Sequence, residues 1–483
     1  MDFQKRYNAL NAAQKKAVDT INGPVMVIAG PGTGKTELLS MRTATILQKT
    51  DTLPENILCL TFTESGASAM RERLAGIVGK DAYKVAIHTF HSFGTEVINQ
   101  NAEFFYHGAQ FRPADELSRH DIVQKIFDGL GHNNILNKKM NGDYTYLRET
   151  LTVISELKKS GLTSDELLEV LDANDAVIEK TESLLRHIFA QKITKATAEQ
   201  LAPYVKDIAA IPNDLPIRDV VPPLSQVLAD SLQRATDDAL ETSSTKPVTS
   251  WRNQWFKKNE HGQFVLKSRE RQAKLRAISS IYEQYLARMS EAELFDFDDM
   301  ILRVVHAIEI FDELRFNLQE KYQYIMIDEF QDTNMAQMRI VSSLTNNEAH
   351  GDTPNIMVVG DDDQAIYSFQ GADISNILHF RENYPKAVAI TLTDNYRSTS
   401  DVLAEARGII VQGDDRLELR MPDINKQLTA NNTQNSSVRI VSLGSSGDER
   451  QWVVQDIKER LAAGARHDVG HAECEFKHRR LDK

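Results

Sequence analysis

Cysteine is nearly absent from this chain of 483 residues, with Cys59 and Cys474 the only two. A disulfide framework is therefore excluded, and a reducing compartment, the cytoplasm, is the expected location. Long apolar runs are missing too. No stretch is long enough to cross a bilayer, and Met1–Ala12 is too polar for a signal peptide, so no membrane association is expected. Positive charge is in deficit, with 56 Lys and Arg against 69 Asp and Glu and a formal net charge of -13. That balance argues against a diffuse basic surface for duplex nucleic acid. Any nucleic-acid site has to be local, in a channel or on stacking aromatics. What is present is ordinary for a folded protein, 41% hydrophobic and 26% charged. The length implies about two to four compact units rather than one core.

The strongest local signal is Gly23–Ser40. Val25–Ile28 is a short apolar run suited to a fully buried parallel strand, and a helical pattern starts at Lys35. Between them, Ala29-Gly30-Pro31-Gly32-Thr33-Gly34-Lys35-Thr36 fits the phosphate-loop pattern. Glycines let the backbone turn tightly and aim its N–H groups inward, so phosphate oxygens meet donors at a helix N-terminus. Lys35 then reaches the β- and γ-phosphates, and the Thr36 hydroxyl is placed to ligate Mg²⁺. A glycine-rich turn without a ligand is the plainer alternative; strand, glycines, Lys-Thr and helix in that order favour a nucleoside triphosphate.

Similar apolar runs recur, each ending in polar residues: Ile57–Leu60, Val85–Ile87, Tyr324–Ile327, Ile356–Val359 and Val388–Leu392. Separated by helical patterns, they predict a parallel α/β sheet, whose ligand sits beyond the carboxyl ends of the strands. Asp328-Glu329 follows one of these strands. Asp328 can hold Mg²⁺ through water and Glu329 can polarise an attacking water; alone, such an acid pair is as readily a helix cap. Gln364, after another strand, is either a sensor of the γ-phosphate or a loop residue.

From about Phe104 to Glu293 the rhythm changes to long helical periodicities, including Tyr146–Lys159, Asp165–Leu171 and Arg271–Met289. Within it, Trp251–Arg276 carries eight Lys and Arg against two acids, interleaved with Trp251, Trp255, Phe256 and Phe264. This suits either a single strand of nucleic acid or a solvated helical face over core aromatics. After Arg397 a helix is expected over Leu403–Ile410, a polar linker over Asn431–Ser437, a strand over Val438–Leu443, and a helix capped by Asp448 that ends at Gly464. His467, His471, Cys474 and His478 have a spacing that invites zinc, although an unstructured polar chain end fits them equally simply.

The chain resembles superfamily 1 helicases of the UvrD/Rep/PcrA type. The resemblance is carried in order by LNAAQKKAV (Leu10–Val18), AGPGTGKT, LTFTESGASAMRERL (Leu60–Leu74), HTFHSFG (His88–Gly94), DFDDMI (Asp296–Ile301), IDEFQDTN (Ile327–Asn334), VGDDDQAIYSFQGA (Val359–Ala372) and NYRS (Asn395–Ser398). It implies an α/β fold: a RecA-like phosphate-loop lobe with a parallel sheet, split by a mostly helical insertion and followed by the start of a second RecA-like lobe. The corresponding boundaries are 1–103 and 294–394 for the two halves of the first lobe, 104–293 for the insertion and 395–483 for the second lobe.

By the same resemblance, Gln14 reads the adenine edge, Tyr396 stacks on its ring and Arg397 reaches the γ-phosphate. Lys35, Asp328, Glu329 and Gln364 serve hydrolysis, the loop Ala29–Thr36 holds ATP, and Thr36 with Asp328 holds Mg²⁺. Phe62, Thr89, His91, Tyr367 and Phe369 line the path of single-stranded DNA. The sequence departs from the family in three places. Glu37 stands where an Arg commonly follows the loop, Phe369-Gln370 replaces Trp-Arg, and nothing between Val438 and Lys483 resembles the family's two last motifs. The expectation is an ATP-dependent 3′–5′ translocase and helicase acting on single strands and single/double-strand junctions. In this form it is expected to be truncated, with weak or no unwinding. The alternative is a fragment that binds ATP and single strands without turnover.

Overall fold

The computed structural model describes residues 3–464 except 106–110, 213–214, 216–222, 348–350, 352, 366–374, 414–415, 422–423, 434–437 and 439–440. Two short helices, α1 (Phe3–Ala9) and α2 (Ala12–Asp19), precede β1 (Val25–Ala29), α3 (Lys35–Lys49), β2 (Ile57–Thr61), α4 (Glu64–Val78), β3 (Ala86–Thr89) and α5 (Phe90–Gln100). The insertion opens with β4 (Arg112–Pro113), α6 (Glu116–Asp128) and the hairpin β5 (Lys139–Met140) and β6 (Asp143–Tyr144). It continues through α7 (Leu147–Ser160), α8 (Ser164–Phe189), α9 (Lys195–Ala209), α10 (Leu224–Glu241) and α11 (Lys246–Trp255). A second hairpin, β7 (Phe256–Lys258) and β8 (Phe264–Leu266), leads to α12 (Ser268–Glu291) and β9 (Leu294–Phe295). β9 pairs in parallel with β4, so the insertion is closed at its base by its own first and last strands.

The chain then returns to the sheet through α13 (Phe297–Ile310), α14 (Asp312–Lys321), β10 (Tyr324–Ile327), α15 (Met335–Thr345), β11 (Ile356–Gly360), α16 (Ser375–Asn383) and β12 (Val388–Leu392). The six long strands form one parallel sheet in the order β12-β1-β11-β10-β2-β3. This is the parallel sheet expected from the spacing of apolar runs, and it is consistent with the RecA-like lobe that the resemblance implies. β1, β2, β10 and β11 are buried along their whole length, because helices cover both faces. Alternation divides the side chains between two cores. Val25, Val27, Ile57 and Cys59 pack with Leu38 and Met41 of α3, while Met26, Ile28, Leu58 and Leu60 pack with Phe90, Phe93 and Phe330.

The insertion has cores of its own. Val123, Phe127, Ile154, Tyr282 and Tyr285 gather α6, α7 and α12; Val177, Leu201, Leu228, Trp251 and Phe256 gather the outer helices. α8 supplies residues to both, with Leu167 and Leu171 in the inner core and Ile178 and Leu185 in the outer one. The aromatics of 251–276 therefore belong mainly to a core: Trp251 and Phe256 are buried, and partly buried Phe264 lies beneath Arg252 and Lys258 at 4.8 and 5.4 Å.

Beyond β12 come β13 (Asp394–Thr399), α17 (Ser400–Ile410), α18 (Leu417–Arg420), β14 (Thr429–Asn432) and α19 (Ser446–Ala462). β13 and β14 form a separate two-stranded parallel sheet. Three expectations are corrected here. Asn431 and Asn432 belong to β14 rather than to a linker. Val438 and Val441–Leu443 are not strand; Val438, Val441 and Leu443 are exposed, so nothing buries the alternating face a strand there needs. The last helix is capped by Ser445, whose hydroxyl accepts from the Asp448 N–H, because Asp448 already lies inside the first turn. His467, His471, Cys474 and His478 lie outside the described residues.

Polar joints tie the insertion to the sheet lobe. Fully buried Lys158 contacts Asp296 at 2.8 Å and lies 4.7 Å from the Tyr285 ring centroid. Arg339 of α15 donates to the Gly161 carbonyl at 2.6 Å, to Glu166 of α8 at 2.9 Å and to Glu309 of α13 at 2.6 Å. Removing one partner of such a buried network leaves charge uncompensated. Arg339→Met is expected to destabilise the fold by about 2–4 kcal/mol, read as a lower urea midpoint. An unchanged midpoint would show that the joint carries no net stability.

Candidate functional site

The phosphate-loop sequence folds as its glycines require. Gly32 and Gly34 have φ of 74° and 89°, and Gly34 is the N-cap of α3. A Cβ on Gly32 would lie 2.7 Å from the Arg397 Cβ, and one on Gly34 would lie 3.0 Å from Gln14 Nε2, so neither position accepts a side chain. Buried Thr33 closes the turn, donating from Oγ1 to the Gly30 carbonyl at 2.7 Å. Ala29 ends β1, Pro31 is exposed at the loop's tip, and Thr36 is half-buried in the first turn of α3.

Lys35 Nζ donates to Glu329 Oε2 at 2.7 Å. This contact crosses the sheet, since Lys35 follows β1 and Glu329 follows β10, with β11 between them. Glu329 has a φ of 49°, a left-handed backbone in a non-glycine residue, which is a strained conformation of the kind that clusters at functional sites. Asp328 donates its N–H to the Leu60 carbonyl at 2.8 Å and accepts the Glu329 N–H at 3.0 Å. Burial and the neighbouring Glu329 push the Asp328 carboxyl up to about 6, and the same two causes push Asp332 to about 6. Carboxylate and hydroxyl oxygens, such as those of Asp328 and Thr36, are donors of the kind that suits a hard divalent cation.

The NYRS segment lies on the same loop. Tyr396 donates its N–H to the Gly32 carbonyl at 2.9 Å, and Asn395 Nδ2 donates to the Pro31 carbonyl. The Asn395 side chain also accepts the Arg397 N–H at 2.9 Å and the Ser398 N–H at 2.7 Å. Arg397 thus has a backbone pinned to the phosphate loop and an exposed side chain. The Asn395 side chain thus fixes the turn that carries Arg397 against the phosphate loop. A cavity of about 590 Å³ opens between Gly30–Pro31 and α17, with Gln364, Arg407 and Lys426 on its polar side.

The residues expected to recognise the base are engaged with their neighbours. Gln14 is buried, its Oε1 accepting from the Asn11 N–H at 3.1 Å and its Nε2 donating to the Thr33 carbonyl at 2.9 Å. One N–H of Nε2 and one lone pair of Oε1 are left over, and these bonds fix the direction in which the amide points. Tyr396 is exposed and its Oη accepts from Asn11 Nδ2 at 3.2 Å. Glu37 is held by Arg6 at 3.0 Å and Arg73 at 3.7 Å.

A separate cavity of about 100 Å³ is lined by residues that include Phe62, His91, Lys159, Asp298 and Asp332. It brings two of the residues expected on the strand path together. Burial holds His91 below the ordinary histidine value, so it is neutral at pH 7, with its ring edge-on to Phe297 at 5.9 Å. Thr89 is not displayed there: it is buried, caps α5 and donates to Glu64 Oε1 at 2.8 Å. Tyr367 and Phe369 lie outside the described residues.

Sequence reasoning assigns no role to Gln331, which sits at the centre of the site. It is fully buried, donates to Glu329 Oε2 at 2.8 Å and accepts the Asp361 N–H at 2.9 Å. The only available signal was its place between Asp328-Glu329 and Asp332.

A family model described as the UvrD/REP helicase N-terminal domain matches residues 10–200 and 173–385. The protein named ATP-dependent DNA helicase PcrA of Staphylococcus aureus (strain Mu50 / ATCC 700699) is 27% identical over 460 residues, 95% of this chain and 47% of that protein. The protein of the same name from Staphylococcus epidermidis (strain ATCC 12228 / FDA PCI 1200) is 27% identical over 458 residues, 95% of this chain and 46% of that protein. The chain spans about half the length of these curated relatives.

The raised Asp328 carboxyl has a consequence for stability. Its folded value of about 6 lies above the unfolded value of 3.8, so its contribution is fully favourable below about pH 4 and is lost as pH rises through 6. In the absence of nucleotide and divalent cations, Asp328→Asn is expected to raise the thermal midpoint at pH 7.5 by about 1–3 °C. The gain shrinks between pH 6 and 4. A gain of equal size at pH 4 and pH 7.5 would show that the carboxyl is not the cause.

Proposed function

Since the chain belongs to the UvrD/REP helicase family, we propose that it binds Mg²⁺·ATP at the phosphate loop and couples its hydrolysis to 3′–5′ movement along single-stranded DNA. The observation that carries this reading is the Lys35–Glu329 contact at 2.7 Å, which puts a phosphate-binding cation and a water-polarising carboxylate at one point. The loop Ala29–Thr36 cradles the phosphates with its N–H groups, and Lys35 exchanges Glu329 for the β- and γ-phosphates. Freed from Lys35, Glu329 orients the attacking water. Gln364 and Arg397 approach the γ-phosphate from the β11 and β13 sides, Arg397 opposing the charge that develops there. Thr36 and Asp328 would hold Mg²⁺, which neutralises phosphate charge when bound. Gln14 and Tyr396 form the base end, Gln14 through the amide positions its present bonds leave over.

In this reading residues 1–103 and 294–394 make one motor lobe, 104–293 a helical subdomain and 395–483 the beginning of a second lobe. Single strands, and the junctions they form with duplex, lie across Phe62 and His91, with Tyr367 and Phe369 on the same path. Stacking of this kind tolerates any base and asks for no overall positive charge. The cytoplasm is the corresponding compartment.

The test is steady-state ATP hydrolysis with and without single-stranded DNA, beside separation of a forked duplex. Strand-stimulated hydrolysis is expected, with weak or no unwinding by this chain alone. Lys35→Ala should lower turnover by about 10²–10³-fold while leaving strand affinity without nucleotide largely intact. Nucleotide and strand binding with no turnover would support the rival reading of a binding fragment. Equal loss of both bindings in folded Lys35→Ala would argue against two separate sites.

A further inference from the structure

The turn after β11 places three carboxylates, those of Asp361, Asp362 and Asp363, around one ammonium group. Lys426 Nζ lies 2.7 Å from Asp361 Oδ1, 2.5 Å from Asp362 Oδ1 and 2.6 Å from Asp363 Oδ2. Lys426 is 7% exposed, Asp361 1% and Asp362 7%, while half-buried Asp363 lies at the edge of the cavity beside α17. Adjacent buried carboxylates repel, and without a cation they separate or take up protons. Lys426 and Arg416, which reaches Asp363 at 3.2 and 3.3 Å, supply that cation. Both come from the segment that follows α17, more than fifty residues further along the chain.

The segment is held in place independently of the lysine. Leu417, Met421 and Ile424 are buried in the core that contains Phe330 and Phe380. The Leu417 N–H donates to Asp362 Oδ2 at 2.8 Å, and Glu418 accepts the Lys426 N–H at 2.7 Å. Lys426 therefore projects from a docked stretch of chain into the turn.

What the turn carries is Gln364. Asp361 uses its two oxygens differently: Oδ1 receives Lys426, and Oδ2 receives Gln364 Nε2 at 2.7 Å. The Asp361 N–H in turn donates to Gln331, which donates to Glu329. The orientation of Gln364 is thus set by one carboxylate whose charge and position depend on a residue from the β13–β14 region.

Building on the reading of the site as an ATP site, we propose that Lys426 is a positioning residue for Gln364, the means by which the segment 416–428 governs how the γ-phosphate is sensed. Docking of the segment brings two cations to the three carboxylates of the turn and presents the Gln364 amide; displacement of the segment releases it. The device converts movement of one part of the chain into a change at the nucleotide without any contact between Lys426 and the nucleotide itself.

The test uses the full chain and compares affinities for Mg²⁺·ADP and for a non-hydrolysable Mg²⁺·ATP analogue by titration calorimetry. The readout is the ratio of the two affinities. Gln364→Ala is expected to reduce the preference for the triphosphate by about threefold to tenfold, the loss of one hydrogen bond to a charged group. Lys426→Met should reduce it by the same factor, the double variant by no more, and Lys426→Arg should restore it to within about twofold of wild type. Should Lys426→Met fail to fold, Lys426→Met with Asp362→Asn removes one charge of each sign, and the same loss is expected. A ratio altered by Gln364→Ala and untouched by Lys426→Met would overturn the proposal, as would independent, additive losses. Failure of wild type to bind either nucleotide would instead sink the ATP-site reading on which the proposal rests.

Discussion

The ion pair between Lys35 and Glu329 depends on the whole sheet. Its partners follow strands that are not neighbours, and they meet only because β1, β11 and β10 are parallel and end at one edge. Parallel strands gather their following loops at that edge, whatever their order in sequence. The arrangement is costly in the absence of a ligand. Glu329 holds a left-handed backbone, Asp328 is pushed up to about 6 by burial and by Glu329, and Lys35 is committed to a carboxylate. In the proposed reading, phosphate and a divalent cation would relieve two of these costs together, by drawing Lys35 away from Glu329 and by giving Asp328 a counter-charge. Stability given up at such a site is a usual accompaniment of binding.

Around that edge, polar contacts set position and apolar packing supplies most of the stabilisation. Both faces of the sheet have continuous cores, and the insertion has two more. Where the units meet, single buried cations do the aligning: Lys158 and Arg339 between insertion and lobe, Lys426 and Arg416 between the chain after α17 and the turn after β11. Buried ion pairs contribute little net stability over an apolar contact, yet they tolerate few alternative geometries. Their use at these joints fixes the relative register of the parts they connect.

Much of this was legible in the residues. Each of the six apolar runs is a strand of the sheet, because buried parallel strands are uniformly apolar and helices are not. The phosphate loop is legible for a similar reason, since Gly32 and Gly34 answer a backbone demand that other residues meet only with strain. The failures have a common cause. Gln331 and Lys426 act through partners about 30 and 65 residues away, and an isolated Gln or Lys carries no periodicity. Trp251 and Phe256 look alike in sequence whether they stack on bases or on Phe189; the 5.9 Å contact between their own rings decides it. Val438–Leu443 has strand composition, but strand composition becomes strand only where a neighbour supplies hydrogen bonds and cover.

The central claim is that the Lys35–Glu329 pair stands in for a nucleotide's phosphates. The most direct measurement is a crystal structure with Mg²⁺ and a non-hydrolysable ATP analogue. The account predicts Lys35 Nζ on the β- and γ-phosphate oxygens, Glu329 more than about 3.5 Å from Lys35 and free to face water, and a loop backbone over Gly30–Thr36 that has scarcely moved. Nucleotide bound elsewhere, or bound at the loop with Lys35 still paired to Glu329, would contradict it.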